Sequence, residues 1–193
     1  MPDGDQKMGK LISELIVSID GCARGTRSPA YYGYGGPEFL AWLAEKAEQP
    51  HRQVLGRKTY EMLNMLPEEH RDDAYRRMTE IPGWVFSRTL SSADWPGLEI
   101  IGEDATGFLR KAKDMTDYEI RIIGSLSIAC ELAKAGVLDT LRLIICPLAL
   151  PETGIEPVFE GMGDIKFDLQ GTRTLDDRII IIDYGPNGAP MST

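Results

Sequence analysis

The sequence predicts an α/β domain in which a mixed sheet lies between helical layers. Three observations predict it. Strand and helix patterns alternate along most of the chain, several strand segments are apolar almost throughout, and the chain finishes on two strands joined by a tight acidic turn. Near-continuous apolar runs belong to strands covered on both faces, which is what helices on either side of a sheet provide. The 193 residues suit one domain, read here as residues 10–184 between polar, disordered tails at 1–9 and 185–193.

The first strand runs from Lys10 to Ser18 and carries Leu11, Ile12, Leu15, Ile16 and Val17, ending in the turn signal Ile19-Asp20-Gly21. From Arg24 to Gly36 the chain is rich in Gly, Tyr and Ser and reads as a long loop, a kind of segment that in compact domains usually carries function. Pro37 opens an amphipathic helix with Phe39, Leu40, Trp42 and Leu43, and Pro50 stops it. Arg52 to Leu55 is a short strand delivering Gly56, and a helix with Tyr60, Met62 and Leu63 starts at Arg57. The charged stretch Pro67 to Glu80 reads as an exposed helix or lid.

Trp84-Val85-Phe86 and Leu98 to Ile101 are two further short strands. Asp104 to Met115 is a helix presenting Phe108, Leu109 and Ala112, and Glu119 to Ile123 is the next strand. Gly124-Ser125 opens a helix in which Leu126, Ala129, Cys130 and Ala133 recur at helical spacing, so Cys130 is expected in the core. Leu141 to Cys146 is a buried strand. Lys166 to Thr174 and Arg178 to Asp183, joined by Leu175-Asp176-Asp177, form an antiparallel hairpin.

Composition removes several function classes. A formal net charge of -9 leaves no general attraction for nucleic acid. No apolar run approaches the roughly 18 to 20 residues that cross a bilayer. The polar N-terminus lacks a secretory pattern. Three widely separated cysteines, Cys22, Cys130 and Cys146, argue against a disulfide framework or a zinc site and for a cytoplasmic setting. His51 and His70 are not spaced as a metal pair, so no metal is expected.

In an acidic protein each local basic cluster is informative. Gly56 admits a close backbone approach, and Arg57, Lys58 and Thr59 follow at a helix N-terminus, where the dipole disfavours cations unless an anion is shared between them. Ser87-Arg88-Thr89 places two hydroxyls around a guanidinium at a strand end, which suits a phosphate monoester such as the 2′-phosphate of NADPH. Gly124, Ser125 and Leu126 begin a helix whose free N–H groups suit a pyrophosphate. Taken singly, Ser125 also reads as a plain N-cap and Arg88 as a surface charge.

Together and in this order these segments resemble the dihydrofolate-reductase-like family, most closely its branch containing the C-terminal reductase domain of the bifunctional riboflavin-biosynthesis enzyme. The signposts are Val17-Ser18-Ile19-Asp20-Gly21, Leu55-Gly56-Arg57-Lys58-Thr59-Tyr60-Glu61, Val85-Phe86-Ser87-Arg88-Thr89-Leu90, Ile123-Gly124-Ser125 and Ala135-Gly136-Val137-Leu138-Asp139 leading into the strand that ends at Cys146 and Pro147. The resemblance implies a three-layer α/β/α fold with a mixed, mostly parallel sheet. It also implies NADPH at Gly56, Arg57, Lys58, Thr59, Ser87, Arg88, Thr89, Gly124, Ser125 and Leu126, and a homodimer. Two departures stand out: Ile123-Gly124 where many members have Gly-Gly, and Leu150-Pro151-Glu152-Thr153-Gly154 in place of a Gly-rich segment.

Hydride transfer needs at most one proton donor from the protein. Glu38, with Trp42 one turn later, resembles the acid and aromatic arrangement on the substrate-side helix of dihydrofolate reductases, and equally reads as an acid favoured in a first helical turn. Asp20 is the other candidate acid, expected near the nicotinamide by the same resemblance, although Asp-Gly is also what a tight turn demands. Tyr31, Tyr32 and Tyr34 suit stacking on a planar heterocycle, or packing of the loop on its own domain or on a dimer partner. The expected activity is reduction of a small heterocycle resembling the substrate of 5-amino-6-(5-phosphoribosylamino)uracil reductase. The alternatives are a dihydrofolate or pterin reductase and a non-catalytic nucleotide-binding module.

Overall fold

Strand β1 (Lys10–Ser18) forms on the apolar run expected for it, and the computed structural model places it inside an eight-stranded sheet. The structure describes residues 9–27 and 30–187, and the side chains of Ala30, Tyr31 and His70 fall outside that description. The remaining strands are β2 (Cys22–Gly25), β3 (His51–Gly56), β4 (Gly83–Phe86), β5 (Leu98–Ile101), β6 (Glu119–Ile123), β7 (Thr140–Cys146), β8 (Gly154–Pro157), β9 (Lys166–Leu175) and β10 (Ile179–Asn187). The helices are α1 (Pro37–Glu48), α2 (Arg57–Asn64), α3 (Asp73–Glu80), α4 (Ala105–Asp114) and α5 (Leu126–Lys134).

The sheet order is β5-β4-β3-β6-β1-β7-β10-β9. Neighbours from β5 to β7 are parallel, and β10 is antiparallel to both β7 and β9. Parallel connections are right-handed, so the direction of travel along the sheet fixes the face each helix covers. The chain moves from β1 to β3 and on to β4, which puts α1, α2 and α3 on one face. It then returns to β6 and β7 through α4 and α5, which cover the other face.

Alternating side chains confirm that assignment. Val54 packs with Leu11, Leu15, Ile120 and Ile122 against Leu109 of α4 and Leu132 of α5. Its neighbour Leu55 packs on the opposite face with Val85 and Tyr60 of α2. Phe39 and Trp42 of α1 cover Ile144, Ile179 and Ile181. Each such buried side chain contributes about 1.5 to 3 kcal/mol.

One line of charge crosses the α1 face. Glu14, Arg142 and Asp183 are register partners on β1, β7 and β10. The buried Arg142 donates to Glu14 Oε1 at 2.8 Å and to the two Asp183 oxygens at 2.7 Å each, and its guanidinium lies 5.7 Å from the centre of the Trp42 ring. The pairing offsets the desolvation of the guanidinium and seats α1 on the sheet.

Three expectations are corrected. The Arg24 to Gly36 loop is not wholly irregular: its start belongs to β2, which pairs antiparallel with β8 as a separate ribbon. The final strand does not end at Asp183 but runs to Asn187, so residues 185–187 belong to it rather than to a tail. Beyond Tyr184, β10 pairs only with β9, so Pro186, which lacks an N–H, is tolerated there. Gly9, expected in the N-terminal tail, is instead buried and donates its N–H to Lys113 O at 3.2 Å; the remaining expected tail residues, 1–8 and 188–193, lie outside the described residues.

The hairpin turn is as acidic as expected. Asp176 and Asp177 both sit at φ +52°, and Arg178 N–H donates to Leu175 O at 3.1 Å, as in a type I′ turn. Among the described residues no helix is long and apolar enough to cross a membrane.

Candidate active site

Strands β3 and β6 are neighbours whose following helices leave to opposite faces, because α2 lies with α1 and α5 with α4. Such a divergence opens a crevice beyond the carboxyl ends of the strands, the place where open α/β sheets bind ligands. The turns at the two strand ends are Gly56-Arg57 and Gly124-Ser125. They are the segments singled out in the sequence.

The two turns are joined by Ser125. Its hydroxyl, 4% exposed as a residue, accepts from Gly56 N–H at 2.5 Å, donates to Ile123 O at 3.2 Å and lies 3.3 Å from Thr59 Oγ1. Ser125 occupies the N-cap position of α5 without capping it, so the α5 first-turn N–H groups are left without a side-chain cap. The N-cap of α2, Gly56, supplies no side-chain cap either. Two uncapped helix starts therefore flank one crevice, each with polar hydrogens that no intrahelical carbonyl can accept.

Both glycines have a reason to be there. A Cβ on Gly56 would stand 3.2 Å from Ser125 Oγ, crowding the joint between the turns. Gly124 has φ +61° and only Thr59 Cγ2 near its absent side chain, at 3.6 Å. Ile123, the departure from a Gly-Gly pair, ends β6 without a left-handed φ, so the bend at this turn rests on Gly124 alone. Leu126 is partly buried and packs its side chain against the main core.

The cations divide into held and free. Arg57 is tied to Glu61, one turn later, at 2.8 Å, which offsets the cost of a cation at a helix start. Lys58 and Arg88 are exposed and make no ion pair among the described residues. Ser87 spends its hydroxyl on the turn, accepting from Thr89 N–H at 3.1 Å and Leu90 N–H at 2.9 Å. That turn leaves the Arg88 and Thr89 side chains exposed at the end of β4.

The two expected acids are both engaged. Asp20 accepts from Ser18 Oγ at 2.5 Å and from Leu150 N–H at 2.9 Å, and these bonds hold its carboxyl below the ordinary range. Through these bonds Asp20 bridges the β1 turn and the Leu150 segment. Glu38 accepts from Asp176 N–H, while the Asp176 carboxylate caps α1 at Glu38 N (2.9 Å) and Phe39 N (3.1 Å). Glu38 is thus clasped to the β9–β10 turn.

The aromatic candidates are placed as follows. Trp42 is 5% exposed, with its ring stacked near Phe39 at 6.1 Å, and packs in the core beneath α1. Tyr34 packs against that same core. The Tyr31 side chain lies outside the described residues. Trp84, near the start of β4, is buried against Phe108 and away from the strand end. Cys130 packs at the margin of the core, with its thiol donating to Gly161 O at 3.1 Å.

Sequence reasoning gave Tyr32 a stacking role beside Tyr31 and Tyr34, and passed over the Arg24–Glu156 ion pair at 3.0 Å. Tyr32 donates its hydroxyl to Cys22 O at 2.5 Å, has φ +50°, and has its phenol pushed up to about 12, chiefly by burial. It ties the 30–33 turn to β2. A tyrosine-rich loop gave no sign of which ring would be the strut.

With this geometry in place, the chain can be compared with known proteins. It is 23% identical over 188 residues to the uncharacterized protein YyaP of Bacillus subtilis (strain 168), covering 94% of this chain and 97% of that one. Its fold is similar to that of a pyrimidine reductase-like protein of Corynebacterium diphtheriae (TM-score 0.65, 15% identity, 94% and 93% of the two chains). It is also similar to a diaminohydroxyphosphoribosylaminopyrimidine deaminase/5-amino-6-(5-phosphoribosylamino)uracil reductase of Thermotoga maritima (TM-score 0.64, 13% identity), covering 94% of this chain and 58% of that one. Dihydrofolate reductase of Enterococcus faecalis, in complex with NADP(H) and RAB-propyl, has the same fold (TM-score 0.58, 16% identity, 93% and 98% of the chains). Residues 9–181 match the RibD C-terminal domain family, and the chain belongs to that family.

Proposed function

We propose that this protein is an NADPH-dependent reductase of a small heterocyclic substrate, resembling 5-amino-6-(5-phosphoribosylamino)uracil reductase. The observation that carries the proposal is the Ser125 joint, which holds two uncapped helix starts around one crevice with Lys58 and Arg88 unpaired beside it. That set of donors fits a dinucleotide: first-turn N–H groups of α2 and α5 for the pyrophosphate, and Arg88 with Thr89 for a 2′-phosphate. NADPH, when bound, supplies the hydride. The protein's part is to hold cofactor and substrate against the carboxyl ends of β1 and β6. Glu38 and Asp20 remain the proposed acids on the substrate side, each held in place by the hydrogen bonds it accepts.

Family membership and the likeness to reductases support this reading, as does the bound NADP(H) of the Enterococcus protein. The engaged state of both acids favours a second reading, a nucleotide-binding module that performs no reduction. Loss of NADPH absorbance over a panel of ribosylamino-pyrimidines and dihydropterins separates the two. Turnover supports the reductase. Binding without turnover on any of them supports the module.

A further inference from the structure

Helix α2 starts at one candidate phosphate turn, and its far end meets the loop that carries the other. β3 and β4 are parallel neighbours with Gly56 opposite Phe86, so the Gly56-Arg57 and Ser87-Arg88-Thr89 turns leave the sheet side by side. From Ser87 to Asp94 the chain is neither helix nor strand. The loop is fixed at its start by Ser87, whose N–H donates to Ile101 O at 3.0 Å beyond β5 pairing and whose hydroxyl closes the turn. What holds its far end decides where Arg88 can stand.

Three hydrogen bonds tie that end to α2. The Tyr60 hydroxyl accepts from Asp94 N–H at 2.9 Å, Asn64 Oδ1 accepts from Trp95 Nε1 at 3.3 Å, and Asn64 Nδ2 donates to Asp94 Oδ2 at 3.3 Å. Tyr60 and Asn64 are one turn apart, so they share the face of α2 that meets the loop. Apolar contacts reinforce the tie: the buried Trp95 ring packs edge-on against Tyr60 at 5.4 Å, and Leu90 and Ala93 lean on the same cluster. Phenylalanine would fill the Tyr60 site as well, so core packing does not account for the hydroxyl; its bond to the loop does.

We propose that Tyr60 and Asn64 are positioning residues for the choice of cofactor. By clamping the end of the 87–95 loop to α2, they set where Arg88 stands relative to the first turn of the same helix. A nucleotide that carries a 2′-phosphate must meet both the helix turn and Arg88, so it depends on that spacing. NADH has no 2′-phosphate and depends on the turn alone. The inference rests on the reading of Arg88 as the 2′-phosphate ligand.

Titrations of the whole chain with NADPH and NADH, read from the nicotinamide's own fluorescence, test it. Tyr60→Phe keeps the ring and strands Asp94 N–H. It is expected to weaken NADPH about three- to ten-fold, the range of one hydrogen bond, and to change NADH less than about two-fold. Asn64→Asp keeps the acceptor for Trp95 but sets a second carboxylate against Asp94, and should act likewise. Adding Asp94→Asn should restore the preference, because the hydrogen bond returns with donor and acceptor exchanged. In an Arg88→Ala background, Tyr60→Phe should cost NADPH nothing further. Equal weakening of both nucleotides in Tyr60→Phe and Asn64→Asp would mean that the tie only stabilises the fold, and would overturn the inference. An unchanged preference in both variants would overturn it too, as would a full further loss in the Arg88→Ala background. A preference for NADPH that survives Arg88→Ala, or a wild type that binds no NADPH, would overturn the reading of Arg88 itself and this inference with it. Where Tyr60→Phe does not fold, Asn64→Asp and its rescue by Asp94→Asn carry the same comparison.

Discussion

Ser125 accepts a hydrogen bond from Gly56 N–H at 2.5 Å, across 69 residues of sequence, and so locks together the ends of β3 and β6. That bond satisfies a partly buried backbone donor that would otherwise lack a protein acceptor. Ser125→Ala should therefore lower stability by about 1 to 3 kcal/mol, the cost of an unsatisfied buried polar group. It should also weaken NADPH by loosening the two walls. Urea unfolding monitored beside cofactor titration checks both, and an unchanged midpoint would contradict the role given to the bond.

Arg88 should set the choice of cofactor. Arg88→Ala is expected to weaken NADPH about tenfold or more, the scale of a charge-assisted contact, while leaving NADH nearly unaffected. Parallel titrations with the two nucleotides measure it. An equal loss for both would place Arg88 away from the 2′-phosphate.

Gly36 and Asp176 should behave as one unit. A Cβ on Gly36 would fall 2.3 Å from the Asp176 carboxylate that caps α1, so the glycine makes room for the cap. Asp176→Ala should cost about 0.5 to 2 kcal/mol, the usual worth of an N-cap. Gly36→Ala should displace the same carboxylate, so the double variant should lose less than the sum of the single ones. Additive losses in thermal unfolding would contradict the shared origin.

Asp20 should make stability fall on acidification. Its folded pKa lies below the unfolded value, so the unfolded chain binds the proton more readily. The contribution is present above the model-peptide value of about 3.9 and is lost as pH falls through the folded value. Asp20→Asn should flatten that acid limb and leave the neutral-pH plateau lower. An acid limb of unchanged slope in the variant would contradict the assignment.

Arg142 should be more costly to strand than to replace. Asp183→Ala leaves a buried guanidinium with only Glu14, for an expected loss of about 3 to 5 kcal/mol. Arg142→Met with Asp183→Asn should lose less. Chemical denaturation of the two variants orders them, and the reverse order would contradict the account of this line of charge.

The legible parts of the fold were those whose signals are local. β1 and β6 occupy their expected residues because covered parallel strands are nearly continuous apolar runs, and the start of α1 was marked by Pro37. The four-residue strands β2 and β8 were missed because Cys22-Ala23-Arg24-Gly25 and Gly154-Ile155-Glu156-Pro157 show no alternation, and each becomes a strand only by meeting the other. At the site, the turns at Gly56, Ser87 and Gly124 could be read because glycine and hydroxyl residues punctuate a strand-to-helix junction. The commitments of Glu38 and Asp20 could not, since their partners, Asp176 and Leu150, lie 138 and 130 residues away in sequence. Trp42 was assigned to the substrate by its neighbour Glu38, whereas its burial follows from the helix face that meets β7 and β10.

The central claim is that the crevice between Gly56 and Gly124 holds NADPH, and direct titration of the protein with NADPH tests it. The account predicts saturable binding on the order of micromolar, tighter than NADH and weakened in Lys58→Ala and Arg88→Ala. Absence of binding at millimolar NADPH would contradict it.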